Sequence, residues 1–347
     1  MTDLDTLARA ATQELLERTP PDVRSRYADL RRTRTRRTTA KVAAAGAALA
    51  VAAGGWQLAR PADRTVEPAP QPGLPSNGVL LALPAAEVGP GAAWSTLVGT
   101  PPAYLPHDAA LFAQYQFTAA GTEIVYADRR ARISAVEVAT GRTRTLVDCP
   151  DDICAAAVSP DLGTVASSDG DGVWLQTVGS GEKRAVPSSD VGATGAPAWS
   201  PDGRSLAIVG ADGVYVADLD DGSVELVRET TTAVVGPLSW SPDGEDLAYF
   251  DTRSARQGSL DVTAYTAEVL DLSTGSTTRL LGAGLSRPDD DVAPTLTWSP
   301  DGRSVAIATT AEAERPPGVY LVPPDGGPAE LVASGSYAAL AWQPLRG

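Results

Sequence analysis

The chain has 347 residues, among them 33 glycines, 28 prolines and two cysteines, and its 28 Lys/Arg stand against 43 Asp/Glu for a net charge of −15. That acidity argues against nucleic-acid binding, while the glycine and proline content suits many short strands joined by turns. The charge is unevenly divided: residues 1–41 hold 10 Lys/Arg against 6 Asp/Glu, and the remainder 18 against 37.

Residues 1–40 read as a cytoplasmic helical and basic segment. Thr2 or Asp3 can cap a helix in which Leu4, Leu7, Ala8, Ala11, Leu15 and Leu16 fall near one face before Pro20 and Pro21, and a second helix can run from Asp22 to Arg31. From Val42 to Trp56 the only polar side chain is an indole, and with Gln57, Leu58 and Ala59 the run approaches the length a helix needs to cross hydrocarbon. Arg31, Arg32, Arg34, Arg36, Arg37 and Lys41 outnumber Arg60 and Arg64 on the far side, so the positive-inside bias leaves the N-terminus in the cytoplasm. The expectation is a single-pass anchor at 41–59 in the cell membrane. A cleaved secretory signal, with Ala48-Leu49-Ala50 as its site, is a second reading, although the leader is longer than usual. Thr35 to Lys41 also resembles a twin-arginine export motif, with Thr39 and Ala40 in place of the large apolar pair. Each reading leaves the rest of the chain outside the cytoplasm. Residues 60–77, with prolines at 61, 68, 70, 72 and 75, read as a semi-rigid spacer.

Residues 78–347 carry an internal repeat. Val158-Ser159-Pro160-Asp161-Leu162 is followed by three copies of Trp-Ser-Pro-Asp-Gly, beginning at Trp199, Trp240 and Trp298, at steps of 41, 41 and 58 residues. A degenerate copy stands 41 residues earlier at Phe117, and Trp342-Gln343-Pro344 opens another 44 residues after Trp298. Periods of this size mark a repeat architecture. Within each copy the serine, proline, aspartate and glycine suit the successive positions of a type I turn closed by a left-handed residue. Apolar strands follow, such as Leu206–Val209 and Val214–Leu219, then a Gly/Asp turn and a short outer strand such as Val224–Val227. Four strands per unit make one propeller blade. Six copies predict six blades. The last copy ends the chain after its inner strand, so Val79–Leu83 and Trp94–Val98 are expected to complete the sixth blade, fasten the two ends of the domain together and leave no open edge strand.

The repeated Ser-Pro-Asp-Gly turn between apolar strands resembles the WD40-like repeat of TolB-type β-propellers over roughly residues 109–347. True WD40 repeats match less well, because no Trp-Asp dipeptide occurs and the chain has one histidine. The resemblance implies an all-β, six-bladed propeller outside the cell. The leader in turn resembles the cytoplasmic ends of actinobacterial membrane proteins that bind sigma factors, which implies a cytoplasmic regulator as a partner of residues 1–37. An amphipathic lead-in lying on the inner leaflet is the other reading.

Cys149 and Cys154 stand between the first and second blades, and outside the cytoplasm such a pair is expected to form a disulfide closing a small loop. A metal site there would need further ligands, and a redox pair would have the wrong spacing. Asp169-Gly170-Asp171-Gly172 lacks calcium-loop spacing and reads as a hairpin. A Ser-His-Asp triad could use only His107, and no Gly-x-Ser-x-Gly elbow exists. No cofactor is called for.

Both sets of short turns should lie on one side of the ring, leaving the long connections Cys149–Cys154, Arg253–Asp261, Gly282–Pro294 and Thr310–Gly318 on the other. Loops on a rigid scaffold are where binding is usually placed. The expected binding face therefore centres on Arg253, Arg256, Asp289, Asp290, Asp291, Glu312, Glu314 and Arg315. The function expected is a non-catalytic module that binds a protein, peptide or envelope ligand. The competing class is a lactonase- or lyase-like propeller enzyme with a metal in its channel, against which the apolar or small residues of the inner strands argue.

Overall fold

The computed structural model describes residues 78–85, 94–99, 102–106, 115–128, 130–149, 156–168, 172–187, 193, 195–229, 234–257, 260–286, 293–310 and 315–344. The expected cytoplasmic helices, the span at 41–59 and the spacer at 60–77 lie outside them. Among the described residues no helix is long and apolar enough to cross a membrane.

The described chain forms six antiparallel sheets. Blade one is β3 (Tyr115–Phe117), β4 (Glu123–Ala127), β5 (Arg132–Glu137) and β6 (Thr143–Asp148). Blade two is β7 (Ala156–Val158), β8 (Thr164–Ser168), β9 (Val173–Thr177) and β10 (Lys183–Ala185). Blade three holds β11 (Ala198–Trp199), β12 (Ser205–Val209), β13 (Gly213–Asp218) and β14 (Val224–Glu229). Blade four holds β15 (Val234–Trp240), β16 (Asp246–Gln257), β17 (Leu260–Asp271) and β18 (Thr277–Ser286). Blade five is β19 (Thr295–Trp298), β20 (Val305–Ala308), β21 (Gly318–Val322) and β22 (Glu330–Ser334). Blade six joins the two ends of the domain: β23 (Tyr337–Trp342) is its inner strand, followed by β1 (Leu80–Pro84) and β2 (Ser95–Val98).

That closure is the one expected. Leu80 pairs with Trp342, Leu81 with Ala341 and Ala82 with Leu340. Beyond the strands, Gln343 N donates to Val79 O at 2.8 Å and Gln343 Nε2 to Gly121 O at 2.5 Å, tying the C-terminal end to blade one as well. Blade six differs from the other five in having three described strands.

The pentapeptide folds as its chemistry requires. Ser200 Oγ donates to Asp202 Oδ1 at 2.6 Å and accepts from Ser205 N at 2.9 Å, while Asp202 Oδ1 also accepts from Arg204 N at 3.0 Å. The same three bonds recur around Ser159, Ser241 and Ser299. Gly203 N closes the turn onto Ser200 O at 3.0 Å, and the glycine sits at φ +73°. Each device joins the inner strand of a blade to the second.

Strand alternation then builds the core. Along β12, Leu206 and Ile208 pack toward blade two with Ala166 and Leu175, whereas Ala207 and Val209 pack toward blade four with Leu247 and Tyr249. Every seam repeats the arrangement, with a buried cluster between blades one and two, four and five, five and six, and six and one. Second strands are thus buried on both faces, which is why they read as unbroken apolar runs.

Candidate functional site

The strand directions settle the two sides of the ring. Inner-to-second and third-to-outer turns share one side, the turn face; second-to-third and blade-to-blade connections share the other, the loop face. On the loop face the second-to-third connections of blades one, two and three are short, from Ala127 to Arg132, Ser168 to Val173 and Val209 to Gly213. In blade three Gly210 N donates to Gly213 O at 2.8 Å, closing the connection within four residues. Tyr215 Oη there donates to Asp212 Oδ1 at 2.5 Å, a bond that pushes the phenol up to about 12.

Blade four breaks this pattern. Arg253 to Asp261, expected as a loop, is mostly strand: β16 and β17 pair without interruption from Asp246↔Asp271 to Gln257↔Leu260. Likewise Gly282 to Ser286, the first part of the expected connection to blade five, belongs to β18 and pairs with β17 from Thr263 to Thr266. The correction has a physical reason: Thr252, Thr263, Tyr265 and Thr266 are β-branched or aromatic residues, which favour an extended chain on a half-buried sheet. β16 has 12 residues where β12 has five, so the sheet continues about 24 Å beyond the length of a neighbouring second strand, at roughly 3.4 Å per residue.

The irregular segment of blade five braces this extension. Thr310 N donates to Ala283 O at 3.0 Å and Thr310 Oγ1 to Leu285 O at 3.1 Å, both on β18. Arg315, exposed, holds its guanidinium 5.8 Å from the centroid of the Tyr320 ring, and Tyr320 Oη donates to Pro316 O at 2.8 Å. Phe250 and Tyr265 meet edge to face at 6.1 Å within the seam beneath.

Arg253 stands on the other side of the sheet. It shares the alternation of Leu247 and Tyr249, which pack against blade three, and its Nε lies 3.5 Å from Asp251 Oδ2. The two arginines whose side chains are described therefore flank the extension rather than converge. Arg256 lies opposite Asp261 in the register. Asp289, Asp290, Asp291, Glu312, Glu314 and Cys154 lie outside the described residues. Cys149 is half-buried against the blade one–two cluster, its N donating to Ala131 O at 2.8 Å.

Sequence reading missed a polar group on the blade-three side. Tyr249 Oη donates to Glu268 Oε2 at 2.7 Å, and burial first, then this bond, raises the phenol far above its usual range. Arg228 of β14 faces the same seam, with a buried Nε that has no hydrogen-bond partner. No sequence signal marks these residues, since a tyrosine in an apolar strand reads as core. Among the described residues no three His, Cys, Asp or Glu side chains are grouped to hold a metal ion.

No family model matches the chain, and no curated protein does. Solved structures do. TolB from Acinetobacter baumannii superposes with a TM-score of 0.56 at 17% identity, over 77% of this chain and 67% of that one. A putative TolB from Agrobacterium tumefaciens gives 0.51 at 17% identity, over 77% and 98%. A chain of a nidogen/laminin complex gives 0.54 at 11% identity, over 78% and 98%. The protein is a six-bladed β-propeller, and its fold is TolB-like.

Proposed function

We propose that this is a non-catalytic binding propeller held outside the cytoplasm by a single span at residues 41–59. It recognises a protein, peptide or envelope ligand with its loop face. The observation that carries the reading is the blade-four extension, a rigid three-stranded projection braced by Thr310 on a ring whose neighbouring turn in blade three is short. Rigid elements present a recognition surface at lower ordering cost than free loops. Its two sides offer Arg253 beside Asp251 and Arg315 beside Tyr320. The TolB-like shape supports the reading, as does its occurrence in a structure of two associated proteins. In this reading Cys149 and Cys154 form a bridge in an oxidising compartment, and residues 1–37 report to a cytoplasmic regulator.

Photo-crosslinking in the native cells, with the reactive side chain placed at Arg253, Arg315 or, on the turn face, Asp202, tests it. Specific adducts are expected from the first two positions and none from the third. Adducts confined to Asp202, or a stoichiometric catalytic metal in the purified chain, would sink the proposal. Partners unchanged by truncation before Thr38 would remove the signalling role alone, and a thiol reagent that labels the cysteines without prior reduction would remove the bridge.

A further inference from the structure

The seam between blades three and four departs from the repeat on both of its sides. In blades one, three and five the pairing of third and outer strands slips once. On the loop-face side of that slip the outer strand places Val147 in blade one and Ala333 in blade five, both packed into apolar clusters. In blade three the same position is Arg228, opposite Val214. Val214 packs with Leu247 and Tyr249, so the arginine shares the side of its sheet that meets blade four. Across the seam Tyr249 pairs with Glu268, whereas the equivalent Ile208 and Ile307 pair with Tyr215 and Tyr320.

Two opposite charges therefore face one seam, yet they do not pair. Glu268 accepts from Tyr249 Oη at 2.7 Å. Among the described residues no carboxylate lies within ion-pair distance of the half-buried Arg228, and its buried Nε has no hydrogen-bond partner. The arginine is close all the same: burial and the Glu268 bond raise the Tyr249 phenol, and the Arg228 charge draws it back in part. Asp251 and Arg253 follow Tyr249 on this side of β16 at steps of about 7 Å, and the Arg253 Nε lies 3.5 Å from Asp251 Oδ2. Neither carboxylate of the seam thus neutralises Arg228. A cation left half-buried without a partner costs stability that an apolar side chain would not, and such breaks with the local pattern mark functional positions.

We propose that Arg228 receives a carboxylate of a peptide ligand at the foot of the blade-four extension, its terminal nitrogens donating to the two oxygens. A planar guanidinium matches a carboxylate in this paired fashion. The position suits the task, because Arg228 is next to last in β14, at the loop-face end of the outer strand. A doubly charged phosphate would meet Glu268 and Asp251 at close range, and a polyanion would meet the net charge of −15, so a single carboxylate is the better match. This site presupposes the loop-face reading above and narrows it. Contact falls on the blade-three side of the extension, with Arg253, and not on the blade-five side with Arg315.

Two measurements on the full-length chain in detergent test this. In the first, acetyl-Ala-Glu-Ala-amide is titrated while the Tyr249 backbone amide is followed by NMR, with the glutamine counterpart and inorganic phosphate as the other arms. A saturable shift is expected from the glutamyl peptide, with affinity at least about tenfold lower in Arg228→Val. No shift, an equal shift with the glutamine peptide, a tighter response to phosphate, or undiminished affinity in Arg228→Val would each overturn the proposal. In the second, Arg228→Val, which installs the blade-one residue, should unfold at the same or a higher urea midpoint than the parent. A lower midpoint would make the arginine a structural residue and overturn the proposal too. An Arg253 cross-link that persists undiminished in Arg228→Val would remove the carboxylate site and leave the binding face standing, whereas a parent chain without loop-face cross-links would remove both.

Discussion

The serine of each Ser-Pro-Asp turn is a small residue with a large share of the bonding. Ser241 is 2% exposed, donates to Asp243 at 2.5 Å and accepts from Asp246 N at 2.9 Å. Its replacement leaves the half-buried Asp246 amide without its side-chain partner and Asp243 with only the bond from Glu245 N, so Ser241→Ala should cost about 1–2 kcal/mol at pH 7, read as a urea midpoint shift. The serine bond, ahead of the backbone bond, holds the carboxyls of Asp161, Asp202 and Asp243 below the usual range of 3.8. A carboxyl with a lowered folded pKa stabilises above its unfolded pKa, and that stabilisation is lost as pH falls through the folded value. The gap between Ser241→Ala and the parent should therefore hold from pH 7 to about 5 and narrow below about 4. Asp246 works the other way, its carboxyl raised by burial first and then by Asp243, Asp271 and Glu245. These turns were legible residue by residue, because their bonds span five positions or fewer. The exception is instructive: Leu162 takes φ +62° where Gly121, Gly203, Gly244 and Gly302 stand in the other copies, held there by packing on the blade one–two cluster.

Among the strands, the seams differ in a way the repeated tryptophan conceals. Trp199 Nε1 donates to Ala157 O at 3.1 Å and Trp240 Nε1 to Ala198 O at 3.0 Å, each reaching the inner strand of the preceding blade. Trp298 and Trp342 are buried in the corresponding seams with indole N–H groups that have no partner. Trp240→Phe should then cost about 1 kcal/mol more than Trp298→Phe in denaturant unfolding, since only the first breaks a bond and strands a carbonyl. Equal costs would show that ring packing alone decides. The outer strands share another device. Their pairing slips in blades one, three and five at Ile133/Ser134, Val214/Tyr215 and Val319/Tyr320. A bulge at that point twists the edge away from further pairing. Strand number and order were readable from period-two apolar runs, whereas bulges and unmade indole bonds depend on how neighbouring blades meet. The blade-four loops were misread as irregular for a related reason: their β-branched and aromatic residues favour an extended chain, but only the pairing of β16, β17 and β18 turns that preference into sheet.

At the scale of the whole ring, stability rests on one junction between chain ends. β23 is covalently last and β1 is first in the ring, yet they pair over Leu80 to Pro84 and bury Leu80, Leu81, Leu340 and Trp342. Deleting residues 337–347 should remove stability comparable to the whole, more than about 5 kcal/mol, and abolish cooperative unfolding by circular dichroism. A truncated chain that still unfolded in one sharp transition would mean that blades one to five stand as an open array. By itself the sequence determined the blade count, the turn chemistry, the closure and the side of the ring on which the long connections lie. Each follows from spacing and from local rules of alternation and turn formation. Only the tertiary structure decided that blade four projects as sheet, that Arg253 and Arg315 flank it on opposite sides, and that blade six is built from β23, β1 and β2 among the described residues. Those outcomes depend on which groups from distant repeats meet across a seam, and a repeat read one unit at a time carries no record of its neighbours.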